Sequence, residues 1–132
     1  SFVKPYGSEN EHPGYASESN GSDHLVDLLK TIASGPQAKK TLVVVTYDEF
    51  GGSYDHVAPP KTDAWGPGTR IPALVLSAGM RSSGVSHQVF DTTSILATIE
   101  HAFGLAPLSS RDATVSDLSR AVAIGGKQRS DS

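Results

Sequence analysis

Leu42-Val43-Val44-Val45 is a short, unbroken apolar run, mostly β-branched, that gives way at once to Asp48-Glu49-Phe50-Gly51-Gly52. Such a run suits a strand buried on both faces, as in a parallel sheet covered by helices. In open α/β sheets ligands bind beyond the carboxyl ends of the strands, so the acids stand where chemistry is expected. Neighbouring strand side chains point to opposite faces. Asp48 and Glu49 therefore serve one centre only if the strand ends there and the chain bends. Gly51 and Gly52 permit the bend, because glycine accepts positive φ without a Cβ clash. Two carboxylates brought together repel, and a divalent cation relieves the repulsion. Hard oxygen ligands suit magnesium, calcium or manganese, with zinc or iron if nitrogen joins. The simpler reading is a polar turn with Gly-Gly at its tip.

A second polar cluster follows, Asp55-His56-Val57-Ala58-Pro59-Pro60, stiffened by its prolines. His56 either donates to an anion or sits behind the metal ligands, with Asp55 orienting its ring. Alternatively Asp55 bonds backbone amides and fixes the glycine-rich turn. Both readings stay open on the residues alone.

The whole string from Thr41 to Pro60 resembles the bacterial phosphoesterase family that contains phospholipase C and acid phosphatase enzymes, a branch of the alkaline phosphatase superfamily. Ser1-Phe2-Val3-Lys4-Pro5 and Asn10-Glu11-His12-Pro13 resemble the family's segment leading into an active-site histidine. Arg70-Ile71-Pro72 and the apolar residues after it look like its next strand, and Asp91-Thr92-Thr93-Ser94 opens what looks like its late helix. The likeness covers residues 1 to about 112. It implies an α/β fold, part of an alkaline phosphatase-like sandwich with a mainly parallel sheet flanked by helices. It implies hydrolysis of phosphoric esters, with phospholipids, phosphodiesters and phosphomonoesters all candidate substrates. Asp48 and Glu49 then hold one or more divalent metal ions, and His12 faces the phosphate as hydrogen-bond donor or acid. It also implies a Ser or Thr nucleophile, which forms a covalent phosphoenzyme, and a Glu-Asn metal-binding pair. Both lie in an earlier part of the family's longer chains. The sequence is accordingly read as the carboxyl-terminal portion of such an enzyme, inactive or nearly so alone, and secreted or periplasmic. Ser77-Ala78-Gly79 departs from the family's more usual proline and aromatic after the serine. Two alternatives remain. One is a non-catalytic α/β metal-binding or scaffold module, and the other is a sulfatase-like hydrolase acting on a different ester.

Around these motifs the chain reads as short elements. Residues 1–4 make a brief strand, and 5–21 a long loop whose one chemical candidate is His12, held extended by the proline after it; on the residues alone it reads as a surface histidine, and the resemblance reverses that. Ser22 or Asp23 caps a helix over 24–33, with Leu25, Leu28, Leu29 and Ile32 as its apolar stripe, and Gly35-Pro36 stops it. His24 and Asp27 are solvated. Loop 59–72 carries Trp65, read as packing or a substrate entrance, and Arg70, read as an anion clamp, a loop anchor or the partner of an acid. A second buried strand covers 73–76, and an edge strand with His87 covers 87–90. Asp91 caps a helix over 92–103 with Ile95, Leu96, Ile99 and Phe103 facing inward, and Gly104 ends it. His101 suits that helix's carboxyl end. A last short helix covers 118–123. Residues 1–124 form the catalytic-domain portion, and 125–132 a disordered tail.

With 132 residues, 37% of them hydrophobic, the chain has the length of one domain with a modest core. A formal charge of −3 gives no basic footprint for nucleic acid, and no run is long enough to span a bilayer. Cysteine is absent, which excludes disulfides, thiol catalysis and cysteine-ligated zinc.

Overall fold

The computed structural model describes residues 1–80 and 83–122. The expected tail at 125–132 lies outside them. The elements run α1 (Glu18–Ser34), β1 (Leu42–Thr46), β2 (Ala73–Ser77), α2 (Thr93–Phe103) and α3 (Ser119–Val122), with single 3₁₀ turns at Gly7–Glu9, Ala38–Lys40 and Glu49–Gly52.

The first helix begins earlier than its apolar stripe does. Ser17 caps it, its Oγ accepting the Asn20 N–H at 3.1 Å, and Glu18 follows in the first turn, where a carboxylate suits the helix dipole. The stripe of Leu25, Leu28, Leu29 and Ile32 is half-buried as expected, and Gly35 ends the helix by donating to the Ile32 carbonyl.

The strands at 42–46 and 73–77 form where expected, but they pair antiparallel, from Leu42 opposite Ser77 to Thr46 opposite Ala73. Among the described residues the sheet has these two strands and no parallel pair. Val43, Val44 and Val45 are half-buried rather than enclosed, and Leu74 is exposed. A β-branched run reports burial, not the direction of the neighbour, and the chain between the strands carries no crossover helix of the kind a parallel pair needs. Among the described residues, 1–4 and 87–90 have no strand partner. Phe2 and Val3 stand in solvent, and 87–90 is irregular.

Asp91 caps α2 as expected, accepting the Thr93 N–H at 2.7 Å, while Ser94 Oγ accepts the Asp91 N–H at 3.0 Å. Gly104 ends the helix in the left-handed region at φ 63°. The inward face is not the expected one. Ser94, Ala97 and Glu100 are buried, whereas Ile99 and Phe103 are exposed. The cover comes from the segment after the helix, which folds back so that Leu118 donates its N–H to Thr98 Oγ1 at 2.9 Å and buries itself with Ala121. A knot on Asp112 fixes that return. Its carboxylate accepts the Leu108 N–H at 2.6 Å, the Ser109 N–H at 3.2 Å and the Ser109 hydroxyl, and these bonds, the hydroxyl's foremost, hold its pKa at about 2. Burial, with the nearby Asp112 charge, pushes the Glu100 carboxyl the other way. His101 meets Asp117 at 2.6 Å.

Candidate active site

The chain leaves β1 through Tyr47 and turns sharply. Asp48 is extended, and then Phe50, Gly51 and Gly52 all take positive φ, at 46°, 62° and 68°. Glycine adopts that region freely, but Phe50 is strained there. The turn closes with Gly51 N–H to the Asp48 carbonyl at 3.1 Å. It is packed from both sides: a Cβ on Gly51 would stand 3.2 Å from Pro72 Cδ, and one on Gly52 would touch Pro13 at 3.7 Å. Asp48 and Glu49 are both exposed on this turn, and Lys4 Nζ lies 3.8 Å from Asp48 Oδ2.

The Pro13 contact brings the His12 loop onto the acid turn. His12 is exposed, and its backbone N–H bonds Asn10 Oδ1 at 2.9 Å. Its ring stacks on Tyr15 with centroids 4.4 Å apart, and Nδ1 lies 2.7 Å from the Pro13 carbonyl. A carbonyl only accepts, so Nδ1 carries the proton and Nε2 is left free to accept, or to donate once the ring is charged.

Glu11 anchors this loop. Its Oε1 accepts from Ser22 Oγ on α1 at 3.1 Å, and its Oε2 accepts from the Tyr47 hydroxyl beside the acids. The loop crosses α1 over Gly21, where a Cβ would come within 2.8 and 2.9 Å of the Asn10 carbonyl carbon and oxygen. Glu11, Tyr47 and Gly21 escaped sequence reasoning. Gly21 lies before the apolar stripe, in a stretch with the composition of a loop, so the sequence carried no signal for the crossing. Hydrogen bonding to Glu11, with burial adding to it, pushes the Tyr47 phenol up to about 12. A raised pKa favours the neutral phenol in the fold. The associated stability is therefore whole below pH 10, the ordinary value, and is lost as pH rises through about 12. An ultraviolet absorbance titration should show a tyrosine step at about pH 12, and Tyr47→Phe should delete it.

Asp55 bonds backbone amides, the second of its two readings, and it pairs with Arg70 rather than with the His56 ring. Oδ1 accepts Arg70 Nη2 at 2.8 Å and the Val57 N–H at 3.0 Å, while Oδ2 accepts both Arg70 Nε and the Arg70 backbone N–H at 3.0 Å. The fork of Arg70 thus clamps loop 59–72 to the acid turn. His56 is exposed and, among the described residues, has no hydrogen-bond partner. The Arg70 bonds, followed by the Val57 amide, hold the Asp55 carboxyl well below the usual range. A depressed carboxylate stabilises the fold above its ordinary pKa near 3.8 and loses that contribution as pH falls below it. Arg70→Lys cannot reproduce the fork, and should speed hydrogen exchange at the Val57 and Arg70 amides. Unchanged protection would show that the clamp is dispensable.

The model of the Phosphoesterase family matches residues 1–106, most of the chain. The chain belongs to that family. It is 33% identical to phospholipase C B of Mycobacterium tuberculosis, over 89% of this chain and 28% of that protein. It is 31% identical to the non-hemolytic phospholipase C of Pseudomonas aeruginosa, over 73% of this chain and 18% of the other. Non-specific phospholipase C6 of Arabidopsis thaliana is 28% identical over 84% of this chain and 26% of its own length. The chain thus spans about a quarter of the curated phosphoesterases it matches.

A divalent cation at the acid turn would find part of a ligand set there. Asp48 and Glu49 supply two hard oxygen donors, of the kind magnesium, calcium or manganese prefers. Among the described residues no group of three His, Asp or Glu side chains converges. Lys4 stands beside one of the two carboxylates. Asp48 and Glu49 would be two ligands of a larger set.

Proposed function

We propose that this chain carries the acid turn of a phosphoric ester hydrolase of the phospholipase C type. The observation that carries the reading is the acid turn with the His12 loop locked over it, Pro13 against Gly52 and Glu11 bonded to Tyr47. Family membership and the names of the relatives support it. In this reading Asp48 and Glu49 hold a divalent cation together with donors supplied by a longer parent chain, which also supplies the attacking hydroxyl. A bound cation there would neutralise phosphate oxygens and favour the ionised hydroxyl. His12, with Nδ1 fixed by the Pro13 carbonyl, presents Nε2 to the phosphate or to the leaving oxygen. Arg70 is committed to Asp55 and shapes the site from outside it. The antiparallel pair becomes one part of an alkaline phosphatase-like sandwich. The exposed Leu74, Ile99, Phe103 and Leu108 are the apolar surface that the rest of the sandwich would cover.

Turnover of phosphatidylcholine and of a chromogenic phosphomonoester by the complete gene product, with and without chelator, tests the proposal. Chelator-sensitive hydrolysis of either ester is expected. Absence of turnover with every divalent cation tried would move the weight to a non-catalytic scaffold, a reading to which Lys4 against Asp48 gives a specific footing.

A further inference from the structure

We propose that the turn bearing Trp65 is a contact for the surface of a phospholipid bilayer, seating the indole among the headgroups. The choice of lipid as occupant rests on the phospholipase-type reading above; the turn itself stands on geometry. Trp65 is the only tryptophan in the chain, and it is 92% exposed. A floppy loop would let so large an apolar ring fold back onto the protein. This turn is braced against that.

Asp63 N–H donates to the Gly66 carbonyl at 3.3 Å, the Thr62 hydroxyl donates to the same carbonyl, and Trp65 N–H donates to Asp63 Oδ1 at 2.7 Å. Arg111, itself only 18% exposed, lies under the turn. Its Nη1 is 3.5 Å from Asp63 Oδ2, and its Nε is 3.1 Å from Asp91 Oδ2 at the start of α2. The far leg ends in the Arg70 fork on Asp55, so the turn is fixed to the same loop that carries the acids. Tyr54, 91% exposed, precedes Asp55 in the chain.

Tryptophan and tyrosine have an apolar body with a polar tip, which suits the boundary between headgroups and acyl chains. Lys61 is exposed on the near leg and complements a lipid phosphate. The formal charge of −3 leaves no broad basic field, so a zwitterionic surface fits better than a strongly anionic one. A protruding tip, rather than a concave groove, likewise suits a bilayer better than a peptide.

Because Trp65 is the sole fluorophore of its kind, the 132-residue chain reports on its own contact. Phosphatidylcholine vesicles should shift its emission to the blue, and brominated phosphatidylcholine should quench it. Trp65→Ala should weaken sedimentation with the vesicles by about tenfold, the effect of losing one buried aromatic ring, and Trp65→Tyr should restore most of it. Emission unchanged at saturating lipid would overturn the proposal, as would equal sedimentation of the Trp65→Ala variant. Emission already blue-shifted before lipid, and rising with protein concentration, would show that a second copy covers the turn, and would also overturn it. None of these readouts needs turnover, so a complete gene product inactive on every ester would overturn the hydrolase reading without touching them.

Discussion

Asp48→Asn in the complete gene product is expected to lower phosphate-ester turnover by about a hundred- to a thousandfold, the scale on which loss of one charge-stabilising group acts in a preorganised site. Glu49→Gln should do the same. The fold should barely respond. Asp48 lies on an exposed turn, and its recorded ion pair, with Lys4 at 3.8 Å, joins two largely solvated groups. Pairs of that kind contribute roughly 0–1 kcal/mol. Thermal unfolding should therefore be nearly unchanged while turnover collapses. Near-normal turnover in both variants would remove the two acids from the site, whatever the family.

Gly21→Ala is expected to destabilise the protein by about 1–3 kcal/mol, the usual effect of forcing a methyl group into filled space. The sign makes this test sharp. In an open helix interior the same substitution stabilises, because glycine is about 1 kcal/mol poorer than alanine there. Here the added Cβ meets the Asn10 carbonyl carbon and oxygen at 2.8 and 2.9 Å, backbone atoms that cannot swing aside as a side-chain end can. The Asn10–Pro13 loop would have to lift, taking Glu11 off Ser22 and Tyr47 and His12 away from the acid turn. Turnover should fall with stability. A stabilised variant on denaturant unfolding would contradict the described crossing of the loop over α1.

Much of the local structure could be read without coordinates. The Val-rich run, the acid pair with its glycines, the Asp91 cap and the Gly104 stop are all decided by residues close in sequence. What could not be read depends on distant partners. The start of α1 was hidden because Ser17, Asn20 and Gly21 have the composition of a loop. Gly21 makes sense in a helix only once Asn10 is seen to lie across it. The buried face of α2 depends on chain distant in sequence: Leu118 returns to bond Thr98, and Ser94 and Ala97 are buried while Ile99 and Phe103 are exposed. The direction of strand pairing leaves no trace in a short apolar run. At the site, the acids stood out as a pair at a turn, and His12 through the resemblance carried by Asn10-Glu11-His12-Pro13. Glu11 and Tyr47, which join them, look ordinary until their bond is seen, and the partnership of Asp55 with Arg70 joins two loops.

The most direct test of the account is to locate a cation. Crystals of the complete gene product soaked in manganese and phosphate should show an anomalous peak bound by the carboxylates of both Asp48 and Glu49, with Lys4 displaced from Asp48 and phosphate against His12 Nε2. A peak elsewhere, with Asp48 still paired to Lys4, would contradict the assignment of the acid turn as the centre of the chemistry.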